Sequence, residues 1–254
     1  MIDLHSHILP GLDDGARDLD DALDIARAAA ADGISVIAAT PHVREDYPTT
    51  ADAMENGVRQ LRAEIEREGI DLELLPGGEV SIEQIDRLSN DELRRFGLGG
   101  NPKYLLVETP YSAWPLCFGE IVHRLGVAGM TAVIAHPERN GAVQADNEKV
   151  AELARAGALI QVTAASLDGR LGSRARNCAR DLIAAELADM VGSDAHMAGV
   201  REVGLSGACK AIGDPQLARW LTELVPGAIV RGGDFPTRPT PKGRRGFFAC
   251  LRGR

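Results

Sequence analysis

The chain is poor in aromatic residues, 4% of 254, and has only four cysteines, Cys117, Cys178, Cys209 and Cys250, none in C-x-x-C spacing. That excludes a disulfide framework and a cysteine-built structural zinc site, and leaves the thiols as small buried or incidental side chains. No basic segment followed by a long apolar stretch opens the chain, and no run approaches the roughly 18 apolar residues of a membrane span, so a cytoplasmic protein is expected. A G-x-G-x-x-G turn and a phosphate-loop motif are also missing, which leaves an open doubly wound nucleotide-binding sheet without support. Positive charge is scarce outside one place. The net charge is −9, yet residues 238–254 carry Arg238, Lys242, Arg244, Arg245, Arg252 and Arg254 and no acid, so residues 1–237 are more acidic than the total. An acidic body argues against nucleic acid as a partner.

What is present is 44% hydrophobic residues, enough for a sizeable core. Seven short β-like runs, 2–5, 35–39, 72–75, 104–107, 131–135, 159–162 and 189–192, alternate with stretches of helical spacing such as DLDDALDIARAAAADG and ADAMENGVRQLRAEIEREG. Several of those stretches end in glycine, as helix C-termini commonly do. Repeated strand–helix order implies parallel pairing, and the reading is a seven-stranded (βα) barrel over residues 1–237 as one domain, followed by a basic tail over 238–254.

Barrels of this kind assemble their sites at the C-terminal ends of their strands. The chemistry-bearing residues stand there. The first strand runs into His5 and His7, whose alternate spacing points both imidazoles to one side, with Asp3, Asp13 and Asp14 close by. VIAATPH ends in His42, LLPGGE in Glu79, YLLVE in Glu108, AVIAH in His136, and MVGSDAH carries Asp194 and His196. Five of the six histidines thus fall at strand ends; His123 lies in a helical stretch and is read as structural. Taken singly, each is an ordinary solvated polar group. Together on one rim, so many carboxylates and imidazoles would repel or go unsatisfied without a cation, and the mixed set suits Zn, Mn or Fe.

DLHSHILPGLDDGA, ATPHV, the glutamate of GGEV, LLVETP, IAHPERN and GSDAH, in this order, closely resemble the polymerase and histidinol phosphatase (PHP) superfamily. More narrowly they resemble its bacterial tyrosine-protein phosphatases of the CpsB/YwqE type, found with capsule and exopolysaccharide genes. The resemblance implies a distorted (βα)7 TIM-like barrel with three divalent metal ions, manganese first, and hydrolysis of phosphotyrosine by metal-activated water. It places His5, His7, Glu79 and Asp194 on the first metal, has Glu79 bridge to a second held by Glu108 and His136, and puts Asp14, His42 and His196 on the third. Arg139 and Arg201 match arginines of the family and would clamp phosphoryl oxygens. The implied partner is a phosphotyrosine protein, a membrane-associated tyrosine kinase. A cysteine nucleophile would need an arginine six residues on, and those positions hold His123, Ala184 and Pro215, with Cys250 too near the terminus.

Three alternatives stand beside this reading. A PHP phosphoesterase acting on a histidinol-phosphate-like monoester or a nucleotide ester would need the same metals. A metal-dependent amidohydrolase also opens with H-x-H but commonly uses a lysine carbamate at the end of the fourth strand, where this chain has Glu108. A non-enzymatic regulator would be expected to have lost ligands first. The tail, with Phe247, Phe248 and Leu251 among its arginines, is read as flexible and as capable of weak contact with an anionic membrane surface.

Overall fold

A computed structural model describes residues 1–197 and 201–240. Among the described residues nine strands form two parallel sheets. One has the order β1 (Ile2–Ser6), β2 (Val36–Ala39), β4 (Glu73–Leu75); the other runs β3 (His42–Val43), β5 (Glu79–Val80), β6 (Tyr104–Glu108), β7 (Thr131–Ala135), β8 (Leu159–Thr163), β9 (Met190–Gly192). Every pairing is parallel, as strand–helix alternation requires. β1 and the residues after β9 are joined by a parallel bridge at Ser6 and Ala195, where Asp194 N donates to the His5 carbonyl (2.9 Å) and His7 N to the Ala195 carbonyl (2.8 Å). The fold is thus an α/β arrangement of parallel sheets.

All seven expected strands are present, and β3 and β5 are additional. Both follow a proline. Pro41 has no N–H to give to a ladder, so the strand entering as VIAA breaks and resumes at His42. Pro76 breaks the next strand in the same way, and the chain then turns through Gly77 and Gly78, where a β-carbon on Gly78 would lie 2.6 Å from Phe96 Cδ1. Each break carries the chain from the first sheet to the second and turns His42 and Glu79 inward, paired side by side in register.

The strands are buried almost end to end, and helices cover them with apolar stripes. Helix Leu19–Ala31 starts at Asp18, whose carboxylate accepts from Asp21 N, and buries Ala22, Leu23, Ile25, Ala26 and Ala29. Helix Ala51–Arg67 starts at Thr50 and buries Met54, Val58, Leu61 and Ile65 at three- and four-residue spacing. No helix among the described residues is long and apolar enough to cross a membrane. Of the expected tail, 241–254 lies outside the described residues. Arg238 is described: its guanidinium donates to the carbonyls of Ala188 (2.6 Å) and Ile183 (3.2 Å) and stacks 4.8 Å from the Trp220 ring.

Candidate metal centre

All nine predicted ligands converge at the C-terminal ends of the strands, in four overlapping groups able to hold a cation: His5, His7 and Asp194; His5, Glu79 and His136; His42, Glu79 and Glu108; and His7, Asp14, His42 and His196. His123 lies apart, exposed on helix Phe118–Val127. The alternate spacing of His5 and His7 does bring their Nε2 atoms together, 3.4 Å apart. Both Nε2 atoms also lie within 3.3–3.5 Å of Asp194 Oδ1 and a Glu79 oxygen. Glu79 is the hub, with His136 Nε2 at 2.7 Å and His42 Nδ1 at 3.0 Å. Asp14, at the open side, lies 3.1 Å from His196 Nε2 and 3.4 Å from His42 Nε2. Glu108 and His136, paired on one ion by the resemblance, fall in different groups joined through Glu79, and Arg44 Nη1 binds the Glu108 carboxylate at 2.8 Å.

Local backbone geometry aims these side chains. His136 (φ 39°) and Asp194 (φ 52°) are two of three non-glycine residues with positive φ among the described residues, and both sit just past a strand end. Such conformations persist only where the surroundings enforce them. Two glycines let the ligand loops close. A β-carbon on Gly15 would lie 2.0 Å from the His7 carbonyl oxygen, and one on Gly192 would lie 2.8 Å from His5 Cβ.

Four residues not assigned from the sequence complete the arrangement. Asp13 accepts from His7 Nδ1 (2.6 Å), His42 N (2.9 Å) and Gly15 N (2.9 Å), which leaves His7 Nε2 free to face the carboxylates. Gln161 does the same for His5, accepting from Nδ1 at 2.9 Å while its amide is held by the Val162 carbonyl. Its signal was a lone amide inside the apolar strand LIQVT. Tyr111 lies parallel to His136 at 5.7 Å, with the Arg139 guanidinium 4.6 Å over its ring. Arg44 bonds Glu108 and Asp46. Tyr47 is half-buried and lies parallel to the His42 ring, centroids 5.8 Å apart.

Charge is tightly balanced. Burial opposes ionisation of Glu79 and Asp194, yet the imidazoles outweigh it: His5, His136 and His42 for Glu79, and chiefly His5 and His7 for Asp194, hold both carboxyls well below the carboxylate range. Glu108 goes the other way, pushed up to about 7 by burial and the Glu79 carboxylate against His42 and Arg44. Glu79 Oε2 and His42 Nδ1 are buried 3.0 Å apart, close enough for an ion pair, yet neither makes a hydrogen bond with a described residue. Buried polar atoms without hydrogen bonds, packed among four carboxylates and five imidazoles, fit divalent cations and nothing apolar.

Both predicted arginines face this centre. Arg139 is paired with Asp194 Oδ2, and Arg201 lies 3.4 Å from Asp14 Oδ2 and 3.9 Å from Asp194 Oδ2. Together with Asp14, His42, His196 and Tyr111 they line a cleft of about 450 Å³. An open cleft with cationic walls over a carboxylate–imidazole cluster can seat an anionic group beside bound metal.

Comparison with known proteins agrees. A tyrosine-protein phosphatase, YwqE of Bacillus subtilis, is 37% identical over 198 residues, 77% of each chain. Tyrosine-protein phosphatase CpsB of Streptococcus agalactiae is 29% identical over 219 residues, 84% of this chain and 89% of its own. A crystal structure from the pair YwqE of Bacillus subtilis and CpsB of Streptococcus pneumoniae, described as unique metal-dependent tyrosine phosphatases, superposes with a TM-score of 0.84 at 32% identity over 95% of this chain and 100% of that one. A probable 2-pyrone-4,6-dicarboxylic acid hydrolase of Acinetobacter baumannii shares the fold alone, with a TM-score of 0.52 at 15% identity over 91% of this chain and 98% of its own. The family model for capsular polysaccharide synthesis proteins CpsB/CapC matches residues 1–217, and with the ligand cluster in place the chain belongs to that family.

Proposed function

We propose that the protein is a metal-dependent protein-tyrosine phosphatase that removes phosphate from a phosphotyrosine protein of capsule or exopolysaccharide synthesis, a membrane-associated tyrosine kinase, in the cytoplasm. The observation that carries this reading is the clustering of nine imidazole and carboxylate side chains beside a cleft lined by Asp14, His42, His196, Arg139 and Arg201. The two sheets, bridged at Ser6 and Ala195, are read as one distorted (βα)7 TIM-like barrel that presents them.

In this reading His5, His7, Asp14, His42, Glu79, Glu108, His136, Asp194 and His196 hold three divalent cations, manganese first. Bound there, the cations would neutralise phosphoryl oxygens and acidify a water nucleophile. Arg139 and Arg201, now turned to Asp194 and Asp14, would donate to the remaining phosphoryl oxygens, and their guanidinium forks suit that geometry. With metal bound, Asp13 and Gln161 would hold the imidazoles of His7 and His5 in the tautomer that leaves Nε2 unprotonated. A tyrosyl leaving group, with an ordinary pKa of about 10, departs without a dedicated protein acid.

The test is a side-by-side assay of phosphotyrosine peptide, histidinol phosphate and an oligonucleotide with manganese present. The peptide should be hydrolysed with the highest kcat/KM. Preference for either other substrate would overturn the assignment.

A further inference from the structure

A second cleft of about 400 Å³ adjoins the first, and Arg44 and Tyr111 line both. We propose that this second cleft is a subsite for a cationic side chain next to the phosphotyrosine, so that the enzyme acts on phosphotyrosine segments flanked by lysine or arginine. The inference rests on the phosphatase reading and specifies its substrate.

The cleft carries more acid than base. Its one arginine, Arg44, is already engaged, with Asp46 at 2.7 and 2.8 Å and with Glu108 at 2.8 Å. Glu45 and Glu83, on the same walls, stand in no ion pair among the described residues. An independent feature points to an occupant. Ser81 also lines the cleft, is only 7% exposed, and its Oγ has no hydrogen-bond partner among the described residues. A buried hydroxyl left unpaired is costly unless something completes it, and an ammonium or guanidinium donor would do so. Ile82 and Pro110 supply apolar wall for the alkyl stem of such a side chain. The two clefts therefore have opposite character, with Arg139 and Arg201 in one and unpaired carboxylates in the other.

The test compares kcat/KM of the metal-loaded enzyme on three phosphotyrosine peptides that differ only in carrying lysine, alanine or glutamate beside the phosphotyrosine, with p-nitrophenyl phosphate as reference. The expected order is lysine, alanine, glutamate, with a spread of about 3–10-fold at low salt that narrows as salt is added. In Glu45→Gln/Glu83→Gln the spread should shrink to within about twofold while p-nitrophenyl phosphate hydrolysis is unchanged. The single variants give the same readout at reduced size should the double variant fold poorly. Equal rates on the three peptides, or a spread that survives the double substitution, would overturn the subsite. Failure to hydrolyse any of the four esters would instead reject the phosphatase reading, and the subsite with it.

Discussion

A methyl group decides whether the ligand loop can close over β1. Because a β-carbon at Gly15 would lie 2.0 Å from a backbone oxygen and 2.4 Å from His7 Cβ, no side-chain rotation relieves Gly15→Ala. The loop must move, and Asp13 and Asp14 move with it. The expected result is a loss of about 1–3 kcal/mol in urea unfolding, together with reduced bound metal. A variant with wild-type stability and metal content would show that the loop is slack. Binding and chemistry also separate at single residues. Glu79→Ala removes the hub contacted by His5, His7, His42 and His136, and should lose both metal and turnover. Arg139→Ala should keep its metal and lose about 10²-fold or more in kcat/KM. Near wild-type kcat/KM on a phosphotyrosine peptide would return Arg139 to a plain ion pair with Asp194. The clustering of these nine positions was legible because so many imidazoles and carboxylates at strand ends, gathered on one rim, would repel or go unsatisfied without a cation. Asp13, Gln161, Arg44 and Tyr111 were not assigned, because their roles depend on which atom each meets across the fold, and residue type does not encode that.

At the level of elements, the strand entering β9 shows a cost of burial that pH can read. Asp189 accepts from Ile160 N at 2.9 Å and lies near Arg238, yet burial pushes its carboxyl up to about 6. The folded state then holds this proton more tightly than the unfolded chain. The stability contribution is greatest below about pH 4, falls as pH rises toward 6, and stays low above that, by at most about 3 kcal/mol. Asp189→Asn keeps an acceptor for Ile160 N and cannot ionise. Its unfolding free energy should vary less between pH 4 and 6, and its Tm at pH 8 should exceed that of the parent by a few degrees. An unchanged pH slope would place the titration elsewhere. Element order was readable from hydrophobic periodicity, since the seven runs are apolar and bounded by turn residues. The division of two strands by Pro41 and by Pro76-Gly77-Gly78 was not, because a proline within an apolar run marks a break without saying that the chain resumes pairing in another sheet. The short helices Ile82–Arg87 and Asn90–Arg95 have too few turns for a clear period.

For the whole molecule, the central claim is that bound metal, with no thiol, carries the reaction. The thiols are poorly placed for it. Cys178 is buried, and burial, with Glu138 and Asp181, pushes its thiol up to about 12; burial also raises Cys209. Cys117 is exposed at the start of helix Phe118–Val127, and among the described residues no cysteine lines the cleft with Arg139. The acidic body and the gathering of imidazoles and carboxylates on one rim could be read in advance from charge and strand-end placement. The particular bridge at Ser6 and Ala195 could not, because the barrel reading implies that first and last strands approach without saying which residues pair. The most direct measurement is phosphotyrosine-peptide turnover with metal content determined on the same preparation, before chelation, after it, and after manganese is restored, for the parent and for a variant with all four cysteines replaced by serine. Turnover should vanish with the metal, return as about three equivalents per chain rebind, and stay within a few-fold in the cysteine-free variant. Full turnover in metal-free protein, or its loss on removing the thiols with metal still bound, would contradict the account.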